Sequence, residues 1–225
     1  MRRYGAALFD LDGTVIDSGL GITNSVMYAL RRCGRPVPER SELYSFVGPP
    51  LYDSFERYCG FSKEDAREAV RLYREYYREK GIFEFDVYDG IPELLRTLHG
   101  SGLTLILATS KPEKFAEKIM AHIGAAEYFD VIAGSCFDGT RIDKHEVIEY
   151  ALGRCGIADR AAAVMAGDRD SDIFGARRSG MDSIGVLYGY GSREELEAAR
   201  PEYLAEKPCD IGKIILGENY GEIMK

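Results

Sequence analysis

Asp10 and Asp12 stand two residues apart at the end of a short apolar run, Gly5-Ala6-Ala7-Leu8-Phe9, with Gly13 directly after them. A buried strand that ends in acids delivers carboxylates to the crevice where open α/β sheets bind their ligands. Gly13 stops the strand, so Leu11 can turn back to the core while both carboxylates reach one space. Two clustered acids repel each other unless a cation or a proton intervenes, so the pattern asks for Mg²⁺ or a raised pKa. The same residues also fit a solvated Asp-x-Asp-Gly turn with no chemistry in it.

Two further apolar runs end in residues of useful type. Residues 103–108 lead into Thr109-Ser110-Lys111-Pro112. A hydroxyl at a strand end, followed by a helix opening at Pro112, offers a phosphate site from Thr109 Oγ1 and free backbone N–H groups. A plain helix cap reads the same way. Residues 161–166 lead into Gly167-Asp168-Arg169-Asp170-Ser171-Asp172. Asp168 stands at the strand end and Asp172 opens the next helix, both placed to draw a cation. An acidic first helical turn complementing the macrodipole is the other reading.

The elements that must position these groups follow from periodicity. After Thr14 the chain turns helical: helix-spaced apolar residues over 18–33, a short helix over 39–46, the rigid Gly48-Pro49-Pro50 loop, a helix over 51–59 and a longer one capped by Ser62. No strand is predicted in this block, and Tyr88-Asp89-Gly90 marks its exit. From Ile91 strands alternate with helices: helices over 92–99, 112–123, 144–155 and 172–179, strands over 103–108, 129–133, 161–166 and 183–187. Ser192-x-x-Glu195 then caps a helix bounded by Pro201. Such alternation means right-handed crossovers and a mostly parallel sheet. The predicted fold is therefore α/β: a Rossmann-like parallel-sheet core over 1–16 and 86–225, with a small all-helical cap over 17–85 inserted after the first strand.

Bulk properties exclude some classes. A net charge of −8 argues against a nucleic-acid polymer as partner, because phosphate contacts need clustered Lys and Arg. No stretch is apolar over the length a bilayer needs, and Arg2 and Arg3 precede too short a run for a signal peptide. Five scattered cysteines without a C-x-x-C pair read as free thiols, which points to the cytoplasm. The histidines His99, His122 and His145 show no ligand spacing, and the glycines from Gly185 to Gly191 are too irregular for a dinucleotide loop.

The longer string Asp10-Leu-Asp-Gly-Thr-Val-Ile-Asp17-Ser18 resembles the first motif of the haloacid dehalogenase-like hydrolases. The resemblance continues in order through Thr109, Lys144 and the pair Asp168 and Asp172, and covers nearly the whole chain. It implies Asp10 as nucleophile and Asp12 as general acid/base. Thr109 with Ser110, Lys144 and Gly13 would bind the phosphoryl group, and Asp10, the Asp12 carbonyl, Asp168 and Asp172 would hold Mg²⁺. An acid at Asp12 sets the chain apart from the halide-removing members, and Leu11 from the transport ATPases. The third motif reads Asp138-Gly-Thr-Arg141-Ile-Asp-Lys144, without the Lys-Pro-x-Pro wording common in phosphoglycolate phosphatases, and is similar to a 5′-nucleotidase-like branch. Lys111 ranks second to Lys144 as the phosphate-binding cation.

The resemblance implies a Mg²⁺-dependent phosphatase acting on small phosphorylated metabolites, 5′-nucleotides or phosphoglycolate foremost, through an aspartyl-phosphate. A phosphomutase of the same superfamily is the alternative, and a regulatory or binding protein using the cap is another. The loop carrying Phe46 and Gly48 is expected to approach the site and set selectivity. Tyr44, Tyr52, Tyr58, Tyr73, Tyr76 and Tyr77 crowd the insert, where they either pack helices or stack on a base. A monomer or a homodimer fits equally.

Overall fold

A computed structural model gives the fold, and it describes residues 3–217 and 220. The remaining positions of the core assignment, 1, 2, 218, 219 and 221–225, lie outside the described residues. The chain divides into two compact units, Met1–Ile16 with Val87–Lys225, and Asp17–Asp86.

The larger unit is built on a six-stranded sheet. In chain order its strands are β1 (Ala6–Phe9), β4 (Thr104–Pro112), β5 (Val131–Ser135), β6 (Ala163–Gly167), β7 (Asp182–Val186) and β8 (Tyr203–Ala205). Spatially they run β5-β4-β1-β6-β7-β8, with parallel pairing throughout. β1 is therefore central, and the order reverses beside it: β4 and β5 build outward on one side, β6 to β8 on the other. The C-terminal ends of β1, β4 and β6 meet at this switch point, where a parallel sheet leaves a crevice. The strands are apolar because both sheet faces are covered. Ala6 and Leu8 join Ile106, Ala133 and Met165 in a core cluster with Val147, Ile148 and Leu152, while Ala7 and Phe9 are buried on the opposite face.

The helices of this unit are α5 (Ile91–Gly100), α6 (Glu113–His122), α7 (Lys144–Cys155), α8 (Asp170–Arg178), α9 (Arg193–Ala199) and α10 (Pro208–Leu216). α7 packs on β4, β5 and α8, and α5 packs on α10. The smaller unit holds α1 (Gly19–Arg32), α2 (Arg40–Leu43), α3 (Leu51–Cys59) and α4 (Lys63–Glu79). There α4 packs against α1 and α3, and its start is fixed by Ser62 Oγ, which accepts from Asp65 N at 3.1 Å. The chain passes between the units at β2 (Ile16–Asp17) and β3 (Asp86–Val87), which form a two-stranded sheet.

Several boundaries differ from the sequence reading, each for a local reason. β2 and β3, two residues each, are too short to show a period. The helix expected over 39–46 is α2 followed by a separate 3₁₀ turn over Tyr44–Phe46. The strand expected over 129–133 starts two residues later, because a 3₁₀ turn occupies Ala126–Tyr128 and Asp130 pairs with Leu105 through both its amide and its carboxylate. The helix expected from Asp172 begins at Asp170, since the Asp172 carboxylate reaches back to the Arg169 amide at 3.1 Å. β8 and α10, beyond Pro201, are not predicted by the pattern because their apolar runs are brief.

The packing of β1 makes a direct test. Phe9 is fully buried and meets Phe129 edge-on at 6.3 Å between ring centroids. Phe9→Ala should lower unfolding stability by about 3–5 kcal/mol in denaturant titration, with the unfolding slope unchanged.

Candidate active site

β1 ends at Phe9, and Asp10 follows with its amide donating to Ala166 O of β6 at 2.9 Å. That bond aims the Asp10 side chain into the crevice between the two strands. Lys144, the first residue of α7, places its Nζ 2.8 Å from Asp10 Oδ1, 2.8 Å from Asp172 Oδ1 and 3.1 Å from Ala108 O. Asp143 caps this helix by accepting from His145 N at 2.8 Å, so the cap itself sets where Lys144 points. Asp168 and Asp172 come from the end of β6 and the first turn of α8. Carboxylate oxygens of Asp10, Asp168 and Asp172 all lie within 4.8 Å of one another, and all three residues are buried.

Three buried carboxylates against one lysine leave excess negative charge. Burial pushes the Asp10 carboxyl up to about 6, with Asp172 and Asp12 adding to the rise and Lys144 opposing it. Burial, then the charges of Asp172 and Asp10, hold Asp168 well above the ordinary carboxylate range. Against the cost of its own burial, Asp10 and Asp172 keep the Lys144 ammonium above the usual lysine range. Asp168 Oδ1 is buried without a hydrogen-bond partner, while its other oxygen accepts from Tyr190 N at 2.8 Å. An orphaned buried oxygen beside two more carboxylates fits a hard divalent cation.

The Asp12 carboxylate is not part of this cluster. Both its oxygens lie 2.7 Å from Lys111 Nζ, which leaves only its main-chain carbonyl for a metal. Thr109 is buried on β4, where its Oγ1 accepts from Lys111 N at 3.2 Å. The strand does not stop at Thr109, as the sequence suggested, but runs to Pro112, because Pro112 still pairs with Ser135 of β5. Ser110 and Lys111 are thus strand residues, and α6 opens at Glu113 instead of Pro112. Ser110 gives its carbonyl to Ser135 Oγ at 2.7 Å.

Close approach needs glycine here. Gly13 has φ +83°, and a Cβ on it would fall 2.2 Å from Asp168 Oδ2. Its amide donates to Ile16 O at 2.8 Å, so what it brings to the site is room and a turn. The sequence pattern reads Gly189 only as part of an irregular loop. A Cβ there would lie 2.4 Å from both Asp168 Cβ and Gly13 O, so the loop after β7 forms the wall behind Asp168. The signal available was its position: a glycine-rich segment following a strand of the same sheet. Phe46 and Gly48 lie in the helical unit, where the Phe46 ring packs on Phe55 and Tyr58 at 5.1 and 5.6 Å.

Comparison with known proteins agrees with this geometry. The family model described as haloacid dehalogenase-like hydrolase matches residues 7–186. The chain belongs to the haloacid dehalogenase-like hydrolases. It is 47% identical over 201 residues to a 5′-nucleotidase of Pseudomonas aeruginosa, covering 89% of this chain and 90% of that one. It is 40% identical over 191 residues to the tyrosine-protein kinase PtkA of Mycobacterium tuberculosis, covering 84% of this chain and 64% of that one. A crystal structure of a predicted phosphatase from Clostridium acetobutylicum superposes with a TM-score of 0.90 at 45% identity, over 94% of this chain and 98% of that chain. Within the haloacid dehalogenase-like hydrolases this chain is an enzyme of the phosphatase class. Among the described residues no helix is long and apolar enough to cross a membrane.

The electrostatics set a pH-dependent expectation for metal binding. With their pKa values raised in the fold, Asp10 and Asp168 contribute stability to the metal-free protein that is present at low pH. That contribution is lost as pH rises and the groups ionise, Asp10 at about 6. A divalent cation replaces the missing protons, so its stabilisation should grow over the same range. At a hundredfold excess over Kd it should add about 2.7 kcal/mol near neutral pH, and clearly less near pH ~5, where protons compete. Melting curves with and without metal at the two pH values check this. Equal gains at both would place the cation elsewhere.

Proposed function

We propose that the chain is a Mg²⁺-dependent phosphatase that hydrolyses small phosphate monoesters through an aspartyl-phosphate on Asp10, with 5′-nucleotides as the favoured substrates. The observation that carries this reading is the Asp10 carboxylate, aimed into a buried crevice and held by Lys144 at 2.8 Å beside two further acids. Asp10, Asp168, Asp172 and the Asp12 carbonyl would hold the cation, which when bound supplies positive charge for the phosphoryl oxygens.

The chain's own residues supply the rest. An Asp10 oxygen attacks phosphorus as the bond to the ester oxygen breaks, and Asp12 passes a proton to that departing oxygen. Water then attacks the phosphorus, Asp12 takes the water's proton, and the bond to Asp10 breaks to release inorganic phosphate. Lys144 and Thr109 Oγ1 bind and orient the phosphoryl oxygens as charge shifts on them. Burial of the site keeps bulk water away from the acyl phosphate until the alcohol has left.

Two observations support nucleotides over smaller esters. The relative from Pseudomonas aeruginosa is named a 5′-nucleotidase and is 47% identical, against 28% for a phosphoglycolate phosphatase of Vibrio vulnificus. The helical unit also carries partly exposed rings, Tyr44, Tyr52 and Tyr58, on which a base can stack. Tyr52, in the first turn of α3 beside the Gly48-Pro49-Pro50 loop, is a better selectivity candidate than Phe46, whose ring is engaged with Phe55 and Tyr58.

Asp10→Asn keeps the shape and removes the nucleophile, so kcat should fall by about 10⁴-fold or more with folding retained. Activity at a tenth of wild type would mean that water attacks phosphorus directly. Phosphate release from nucleotides without a bisphosphate primer separates hydrolysis from the phosphomutase reading. Tyr52→Ala should lower kcat/KM for nucleotides relative to acetyl phosphate by about 1–3 kcal/mol. An equal loss on both substrates would remove Tyr52 from substrate selection.

A further inference from the structure

The two acids of the proposed mechanism are held by different lysines, and the second lysine takes no part in the steps described above. Lys111 Nζ lies 2.7 Å from Asp12 Oδ1 and 2.7 Å from Asp12 Oδ2. The pair is buried, with side-chain exposures of 6% for Lys111 and 10% for Asp12. A surface ion pair wanders; a buried one gripping both oxygens fixes the plane of the carboxylate.

The seat of Lys111 is itself built. Its amide is anchored to Thr109 Oγ1. Across on β5, a Cβ at Gly134 would fall 2.5 Å from Lys111 O, so the two main chains lie closer than any side chain would allow. Gly134 is held in turn: Arg141 Nε donates to its carbonyl at 2.7 Å, and its amide donates to Glu113 Oε2 at 3.2 Å. Arg141 Nη2 closes the loop by donating to the same Glu113 oxygen at 2.8 Å. Arg141 is one of two non-glycine residues described with positive φ, at 51°. Strain of that kind persists where surrounding contacts impose it.

We propose that Lys111 is the positioning residue for the acid/base carboxylate: it holds Asp12 turned so that one oxygen can reach the departing ester oxygen. Without it the Asp12 side chain is free to rotate away from the negative charge of Asp10, two residues back. The inference rests on Asp12 being the acid/base, and it makes Lys111 act through Asp12 rather than on the phosphoryl group. The distinction has a chemical signature. An alkoxide is a poor leaving group and needs a proton as the bond to phosphorus breaks, whereas p-nitrophenolate or acetate leaves without one. Loss of a well-placed acid in this first step therefore falls on alkyl esters and largely spares aryl and acyl phosphates, whereas the water-activating step is common to all of them.

The experiment measures kcat/KM, which reports the steps up to release of the alcohol and not the later hydrolysis of the aspartyl-phosphate, with metal present on an alkyl ester (a 5′-nucleotide) and on p-nitrophenyl phosphate. Wild type, Lys111→Met, Asp12→Asn and the double variant are compared. Lys111→Met should lose on the order of 10²-fold on the nucleotide and at least tenfold less on the aryl ester. The double variant should fall no further than Asp12→Asn alone, because Lys111 acts only through that carboxylate. Equal losses on both esters, or losses that add in the double variant, would overturn the proposal and make Lys111 a phosphate-binding group. If Lys111→Met does not fold, Lys111→Gln reads the same ratio of alkyl to aryl rates, and an unchanged ratio overturns the proposal. Should Asp12→Asn itself lose equally on both esters, the acid/base reading of Asp12 fails; should it be selective while Lys111→Met is not, only the positioning role fails.

Discussion

Negative charge confined to a dry crevice is the constraint on which this structure depends. Asp10, Asp168 and Asp172 are brought together from two chain segments, the end of β1 and the turn from β6 into α8, and their mutual repulsion opposes every contact that assembles them. Water would screen such charges cheaply, but burial removes that option. The fold answers with Lys144, seated at the first turn of α7 between Asp10 and Asp172. One ammonium does not balance three carboxylates, and burial first, then the neighbouring carboxylates, raise the pKa values of Asp10 and Asp168. The site is therefore unstable toward gaining positive charge, which is what a cation or an incoming proton provides. Storing that deficit costs stability, and enzymes accept such costs at the place where chemistry happens.

The surrounding architecture is arranged to keep the cluster tight. Parallel strands place their C-terminal ends side by side, and the reversal of strand order beside β1 opens space there without breaking the sheet. Gly13 and Gly189 let main chain pass where any side chain would strike Asp168. Main-chain donors then fix the individual oxygens: the Tyr190 amide holds one of Asp168, and the Arg169 amide one of Asp172. Each of these bonds uses one lone-pair side of a carboxylate and leaves the other toward the cluster. Preorganisation of this sort is paid at folding, so no reorganisation remains for the reaction.

Much of this was legible in the residues alone, and for a physical reason. Strand ends, helix caps and glycine turns are local, so Asp10, Thr109 and Lys144 could be placed on their elements from periodicity and capping chemistry. The helix from Lys144 to Cys155 carries its start signal in Asp143, one residue before it. What was not legible depends on distant partners. β4 continues past Thr109 only because β5 pairs with it as far as Ser135, and no pattern within residues 104–112 says so. The wall formed by the loop after β7 is a matter of packing against Asp168, twenty-one residues earlier. Two-residue strands such as β2 and β3 have no periodicity to read.

The role of Lys111 shows the same boundary from the other side. Beside Thr109 in sequence it reads as a second phosphate-binding cation, because proximity along a strand suggests a shared target. In the fold it faces Asp12, and Lys144 faces Asp10, so two lysines are divided between two acids that lie two residues apart. The division matters chemically. A nucleophile must keep its lone pair directed at phosphorus, while an acid/base must keep one oxygen near the leaving group and then near water. If one ammonium served both, each movement of charge on Asp10 would pull on the grip that orients Asp12. In the proposed mechanism separate counter-ions would uncouple the two tasks: Lys144 would follow the charge of the acidic cluster, and Lys111 would stay with Asp12. The strand that carries Thr109 thus continues for three residues beyond it, long enough to bring a second cation to the crevice.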